Sequence, residues 1–175
     1  TQCFVASNDK FAIVAFRGSE ARLREGDPNP GYIYADWLAN FNFLPEEWDY
    51  GGKVHRGFKA ALSEVWNALE AHLTKLQQNN LKIWVTGHSL GAALATLAAH
   101  RYGNVQGLYT FGSPRVGDQD FKHDFNINTY RFVNNSDIVT KVPPSNMYRH
   151  VGELRYIDSD GLIHDNTNRW ERWSD

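Results

Sequence analysis

Five residues constrain this chain more than any others: Gly87-His88-Ser89-Leu90-Gly91. A run of β-formers at 81–86 leads into them, and small helix-forming residues at 92–99 lead out. A G-x-S-x-G segment between strand and helix holds its serine on a sharp, strained turn, so that Cβ and Oγ stand clear of the backbone. The two glycines remove side chains that would strike the adjoining strand and helix. The helix starts at the serine, which puts free N–H groups and the positive end of the helix dipole beside any oxyanion that develops there. Ser89 is therefore the candidate nucleophile. The competing reading is an ordinary strand-to-helix turn containing serine. The motif alone is weak; its strand and helix setting favours the nucleophile.

The chain has 175 residues, which predicts one domain, 1–175, able to bury about 70% of its unfolded surface. Hydrophobic residues make up 42% and charged residues 22%, ordinary values for a soluble globule. A net charge of −2 gives no electrostatic case for nucleic acid or an anionic membrane. The single cysteine, Cys3, excludes an intrachain disulfide framework. That suits the cytoplasm, and equally a secreted protein without disulfides. No apolar run approaches the ~20 residues of a membrane span. The chain lacks an initiator methionine and opens inside an expected strand, so a fragment missing residues at both ends is expected.

Residues 2–6 and 11–16 read as two strands of a hairpin, with turn chemistry at 7–10. The second strand runs into Arg17-Gly18-Ser19, where Ser19 is either a plain loop serine or a donor to an oxyanion. Residues 20–34 are first polar and turn-rich, then aromatic, and 36–43 are dense in large apolar groups. Composition fits a flap beside an active site and a surface excursion equally. Lys53-Val54-His55-Arg56-Gly57-Phe58 is expected to open the clearest helix, its apolar residues recurring at helical spacing to Leu76 before Asn79-Asn80. His55 and His72 read as capping or surface groups. No His/Cys/Asp/Glu cluster has metal-ligand spacing. Further strands are expected at 105–111, 127–133 and 151–157, with a short helix around Phe121 and Phe125. Asp160-Gly161 signals a turn that allows a returning hairpin arm at 162–163. Strands alternating with helices imply a mostly parallel sheet with helices on both faces.

In such a sheet, functional groups gather at the carboxyl ends of the strands. Ser89 follows one strand there, and Asp137 follows another, in the chain order Ser, then Asp or Glu, then His. Asp118, Asp120 and Asp124 belong to a short helix and its approach, and Asp158 lies where the histidine is expected. The acid's task is to fix the tautomer and orientation of an imidazole. Among the histidines, His88 projects away from its neighbour, and His100 belongs to the helix run. His123 breaks the chain order, and His150 sits at the wrong end of its strand. His164 is the best placed, although the 160–161 turn already carries the chain away from the site.

These residues resemble the class 3 lipases, the fungal-lipase-like branch of the α/β-hydrolases. Phe16-Arg17-Gly18-Ser19 is similar to that family's oxyanion strand end, and Asp36-Trp37-Leu38-Ala39-Asn40 to the base of its lid. Lys53-Val54-His55-Arg56-Gly57-Phe58 is similar to its K-V-H-x-G-F element. Gly87-His88-Ser89-Leu90-Gly91 and Phe111-Gly112-Ser113-Pro114-Arg115-Val116-Gly117 look like its elbow and following strand end. Asp137-Ile138-Val139 with Val142-Pro143-Pro144 looks like its acid loop. The resemblance implies an α/β-hydrolase fold, Ser89 as nucleophile, Asp137 as acid, and an oxyanion hole from Ser19 and the backbone N–H of Leu90. It implies hydrolysis of acylglycerol esters through an acyl-enzyme, a lipid or ester substrate met at a lipid–water interface, and no cofactor or metal. A phospholipase or acyltransferase on the same scaffold, or a non-catalytic lipase-like interaction domain, are the alternatives. Two features depart from the fungal pattern. The segment between Ser19 and Asp36 is longer, and the family's Asp-His pair is absent, which predicts that its histidine lies beyond Asp175. The family's fungal members are also disulfide-bonded, which a chain with one cysteine cannot be internally.

Overall fold

The computed structural model describes residues 1–19, 43–135 and 137–165. The elements run β1 (Cys3–Ser7), β2 (Phe11–Phe16), β3 (Pro45–Glu47), β4 (Lys53–His55), α1 (Arg56–Gln78), β5 (Lys82–His88) and α2 (Leu90–Tyr102). There follow β6 (Gly107–Phe111), α3 (Gln119–Asp124), β7 (Thr129–Asn134), a 3-10 turn (Ile138–Lys141), β8 (Glu153–Ile157) and β9 (Ile163–Asp165). Among the described residues, a seven-stranded sheet has the order β1-β2-β5-β6-β7-β8-β9. Pairing is parallel from β2 to β8 and antiparallel at the two edges. This is the mostly parallel sheet expected from the alternation of strands and helices.

Asn8 makes the β1–β2 turn: its Oδ1 accepts the backbone N–H groups of Lys10 and Phe11 at 2.8 and 2.9 Å. α1 differs from expectation at its start. Residues 53–55 form β4 instead of the first helical turn, because β4 pairs with β3 and the N–H of His55 donates to Val116 O at 3.0 Å. His55 then caps the helix, its Nδ1 accepting from Gly57 N–H at 3.1 Å. α1 buries Phe58, Leu62, Trp66, Leu69, Leu73 and Leu76, the spacing of one helical face. Full burial of each such side chain contributes roughly 1.5–3 kcal/mol. Asn79 and Asn80 end it, Asn80 at φ 60°.

α2 has no polar face to offer: every residue from 91 to 99 is buried. It lies on β2, β5 and β6, with α1 packed over it. A helix apolar all round belongs inside a layered core, and its alanines and glycine allow the close approach. The face of the sheet beneath it is Ala12, Val14, Phe16, Ile83, Val85 and Leu108, all buried. The opposite face carries a row of rings, with Trp84–Tyr109, Tyr109–Tyr130 and Phe111–Phe132 centroids at 5.9, 5.3 and 5.0 Å. The hairpin arm expected after Asp160-Gly161 exists as β9. The segment 20–34, which composition fits equally to a flap and to a surface excursion, and all of the apolar stretch 36–43 except Phe43 lie outside the described residues.

Candidate active site

The elbow is built as its motif predicts. Ser89 sits between β5 and α2 at φ 54°, ψ −125°, a conformation that a residue with a Cβ adopts only at a cost of order 1–3 kcal/mol. Such strain persists where the surroundings over-determine it. Here Ser89 N–H donates to Phe111 O at 3.0 Å, and Ser89 O accepts from Ala92 N–H at 3.0 Å. A Cβ on Gly87 would run into the Gly91 carbonyl, and one on Gly91 into the carbonyl of Phe16. The second contact holds the start of α2 against the end of β2. The serine is 4% exposed, and its hydroxyl does not cap the helix, so Oγ is not committed there.

The end of β2 is the next neighbour. A Cβ on Gly18 would stand 2.7 Å from His88 O and 3.6 Å from Ser89 Cβ. Gly18 therefore lies against the elbow, and Ser19 follows it, exposed. Leu90 opens α2, where the first N–H groups have no intrahelical acceptor. Gly18, the neighbour of Ser19, and Leu90 thus both lie against the elbow.

Asp137 follows β7. Its N–H donates to Asn134 O at 3.0 Å, its Oδ1 accepts Val139 N–H at 2.9 Å, and its carbonyl accepts the Thr140 hydroxyl at 2.8 Å. The other carboxylate oxygen, Oδ2, lies 2.6 Å from where a Cβ on Gly112 would stand. The end of β6 therefore separates the two candidates: Phe111 O holds the N–H of Ser89, and Gly112 lies under the carboxylate of Asp137. A cavity of about 560 Å³ opens at these strand ends, lined by His88, Phe111, Gly112, Phe132, Asn134, Asn135, Asp137 and Ile157. His88 is exposed on its wall, so its side chain does leave the elbow on a different side from the buried Ser89.

Several other acids and histidines among the described residues are engaged elsewhere. Asp118 caps α3 by accepting Phe121 N–H at 2.9 Å. Asp124 pairs with His123 at 3.1 Å. Asp158 pairs with His164 Nε2 at 2.5 Å, and this bond, first among its causes, holds the Asp158 carboxyl below its ordinary pKa. His164 thus belongs to the β8–β9 hairpin. His150 Nε2 meets Thr140 O at 2.8 Å. His100 Nδ1 accepts the Trp48 indole N–H at 3.0 Å, and burial pushes its imidazole pKa down. Among the described residues no group of three or more His, Cys, Asp or Glu could hold a metal ion.

A strand-turn-helix serine, the end of β2 beside it and a strand-end aspartate all fall within the match to one family. The model of the class 3 lipases, "Lipase (class 3)", fits residues 13–147. The chain belongs to the class 3 lipase family. The class 3 lipase chain is 38% identical to "Secreted mono- and diacylglycerol lipase 1" of Fusarium solani over 143 residues, covering 75% of this chain and 43% of that protein. It is 35% identical to "Lipase" of Rhizomucor miehei over 175 aligned residues, 90% of this chain and 45% of that one. The solved triacylglyceride lipase of Rhizomucor miehei superposes with a TM-score of 0.75 at 31% identity, covering 93% of this chain and 64% of its own. The class 3 lipase chain thus spans less than half the length of these two curated relatives. Among the described residues no helix is long and apolar enough to cross a membrane.

His88 lines the cavity beside Asp137, a place its sequence position did not signal: reading from the sequence says only that it projects away from Ser89.

Proposed function

We propose that this chain carries the nucleophile and the acid of a carboxylic ester hydrolase acting on acylglycerols. Ser89 Oγ attacks the ester carbonyl, an imidazole takes its proton, and Asp137 orients that imidazole and stabilises its charged form. The N–H groups of Ser19 and Leu90 hold the oxyanion, the alcohol leaves, and water releases the fatty acid from the acyl-enzyme. The observation that carries this reading is the elbow: a buried serine at φ 54° whose hydroxyl is free of the helix cap. The names of the Fusarium and Rhizomucor relatives support acylglycerols as the substrate class and, for the former, a secreted setting. The test is Ser89→Ala in the full-length protein, assayed on an emulsified acylglycerol and on a short nitrophenyl ester. Turnover is expected to fall on the order of 10⁴-fold or more on both. Retention of a tenth of the parent rate would remove Ser89 from the mechanism.

A further inference from the structure

We infer that Arg115 is a positioning residue that sets the distance between nucleophile and acid; this rests on Asp137 being the triad acid. Arg115 lies four residues after Phe111, at the far end of the segment leaving β6. Its backbone N–H donates to Val142 O at 2.8 Å. Its Nη1 donates to Pro143 O at 2.7 Å and also to Lys141 O. One residue therefore binds three consecutive main-chain carbonyls at the end of the acid's 3-10 turn. Burial lowers the guanidinium pKa, and the nearby Arg149 adds to that, so a cation is held here against its own desolvation. Both side-chain bonds come from the one terminal nitrogen, Nη1, which carries two N–H donors held in the guanidinium plane, whereas the ammonium of a lysine turns freely on a flexible stem.

The turn passes that restraint to Asp137. Val142 N–H donates to Val139 O at 3.3 Å, Thr140 Oγ1 to Asp137 O at 2.8 Å, and Val139 N–H to Asp137 Oδ1 at 2.9 Å. Holding 141–143 thus fixes the carboxylate four to six residues upstream. At its other end the same segment begins at Phe111, whose carbonyl holds Ser89 N–H. Residues 111–115 form a strut with the nucleophile's backbone bound at one end and the acid's turn at the other. Gly112, at φ 56°, directly follows Phe111 and leaves room for Asp137 Oδ2. Misplacing a catalytic group by about 1 Å can cost 10²-fold in rate.

The test uses the full-length protein and a soluble nitrophenyl ester, with rates expressed per reactive serine titrated by a phosphonate. Arg115→Met is expected to lower kcat at least tenfold with KM within twofold. The acid limb of kcat/KM against pH should also move down, because a loosened carboxylate holds the imidazolium less well. Arg115→Lys should give a smaller fall and a shift in the same direction. If Arg115→Met does not fold, Arg115→Lys at the parent melting temperature carries the same test. A lower melting temperature with kcat and the acid limb unchanged would reduce Arg115 to a structural residue and overturn the inference. Asp137→Asn separates the two levels. If it abolishes turnover while Arg115→Met leaves kcat intact, only the positioning role fails. If Asp137→Asn is active, the acid assignment and this inference fall together.

Discussion

His100 illustrates how one half-buried residue reports on its surroundings. Its Nδ1 accepts the Trp48 indole proton, so the neutral ring carries its own proton on Nε2, which meets Asp124 O at 3.3 Å. Phe125 stacks on the ring with centroids 5.3 Å apart. A protonated Nδ1 could not accept from Trp48. Burial, the leading cause, holds the folded pKa below the ordinary value of 6.5, against the smaller raising effect of Asp124. The group's contribution to stability is therefore full above about pH 6.5 and declines as pH falls below it, through the depressed folded value. The melting temperature is expected to drop between pH 7 and pH 5, and His100→Gln should flatten that part of the profile. An unchanged slope in the variant would assign the drop to other groups. Ser19 belongs to the same scale. Its backbone N–H survives truncation, so Ser19→Ala removes only a hydroxyl; as an oxyanion donor it would lower kcat by up to roughly 10²–10³ with KM little changed. A change confined to KM would reassign Ser19 to substrate binding.

At the scale of elements, the elbow works because three pieces of backbone approach closely. β5 ends at a glycine-flanked turn, α2 starts there, and the end of β2 lies against both. In Gly91→Ala the new methyl would meet the backbone carbonyl of Phe16, which cannot rotate away as a side chain would. Overpacking of this kind typically costs 1–3 kcal/mol. Urea unfolding of Gly91→Ala should show that loss, with activity falling further than stability because the strand ends move. α1 is the contrasting case, since it touches no reacting group. Leu62, fully buried at 0% exposure, should cost about 2–5 kcal/mol when cut to alanine. The fraction that remains folded should keep its kcat. Reduced kcat per titrated serine in Leu62→Ala would show that α1 does more than pack.

For the whole molecule, the sheet order sets which parts open first. β5 and β6 lie inside the sheet under α2, whereas β1 and the three-residue β9 are its edges among the described residues. Local opening free energies follow burial and strand pairing. Amide exchange is expected to be slowest in β5 and α2 and fastest in β1 and β9. Rapid exchange in β5 would contradict the central place given to the elbow strand. The same order explains the site: β5, β6 and β7 are consecutive, so the turns after them, bearing Ser89, Arg115 and Asp137, meet at one rim of the sheet.

Much of this was legible in the order of residues, for local reasons. A period near 3.6 in Phe58, Leu62, Trp66 and Leu69, and β-formers before Gly87, reflect backbone geometry that a short window contains. The elbow was legible because its two glycines and serine are contiguous. Other features were decided only by tertiary structure. Residues 53–55 became a strand because β3 and Val116 offered pairing partners from elsewhere in the chain. His164 met Asp158 because β9 folds back beside β8, a register that no local pattern specifies. Arg115 reached Lys141, Val142 and Pro143, about 26–28 residues away, through three-dimensional proximity alone. Residue type and short-range spacing determine which elements form and which chemistry they bear. Which groups touch depends on long-range packing, whose partners are distant in sequence and are chosen by the burial of whole faces together.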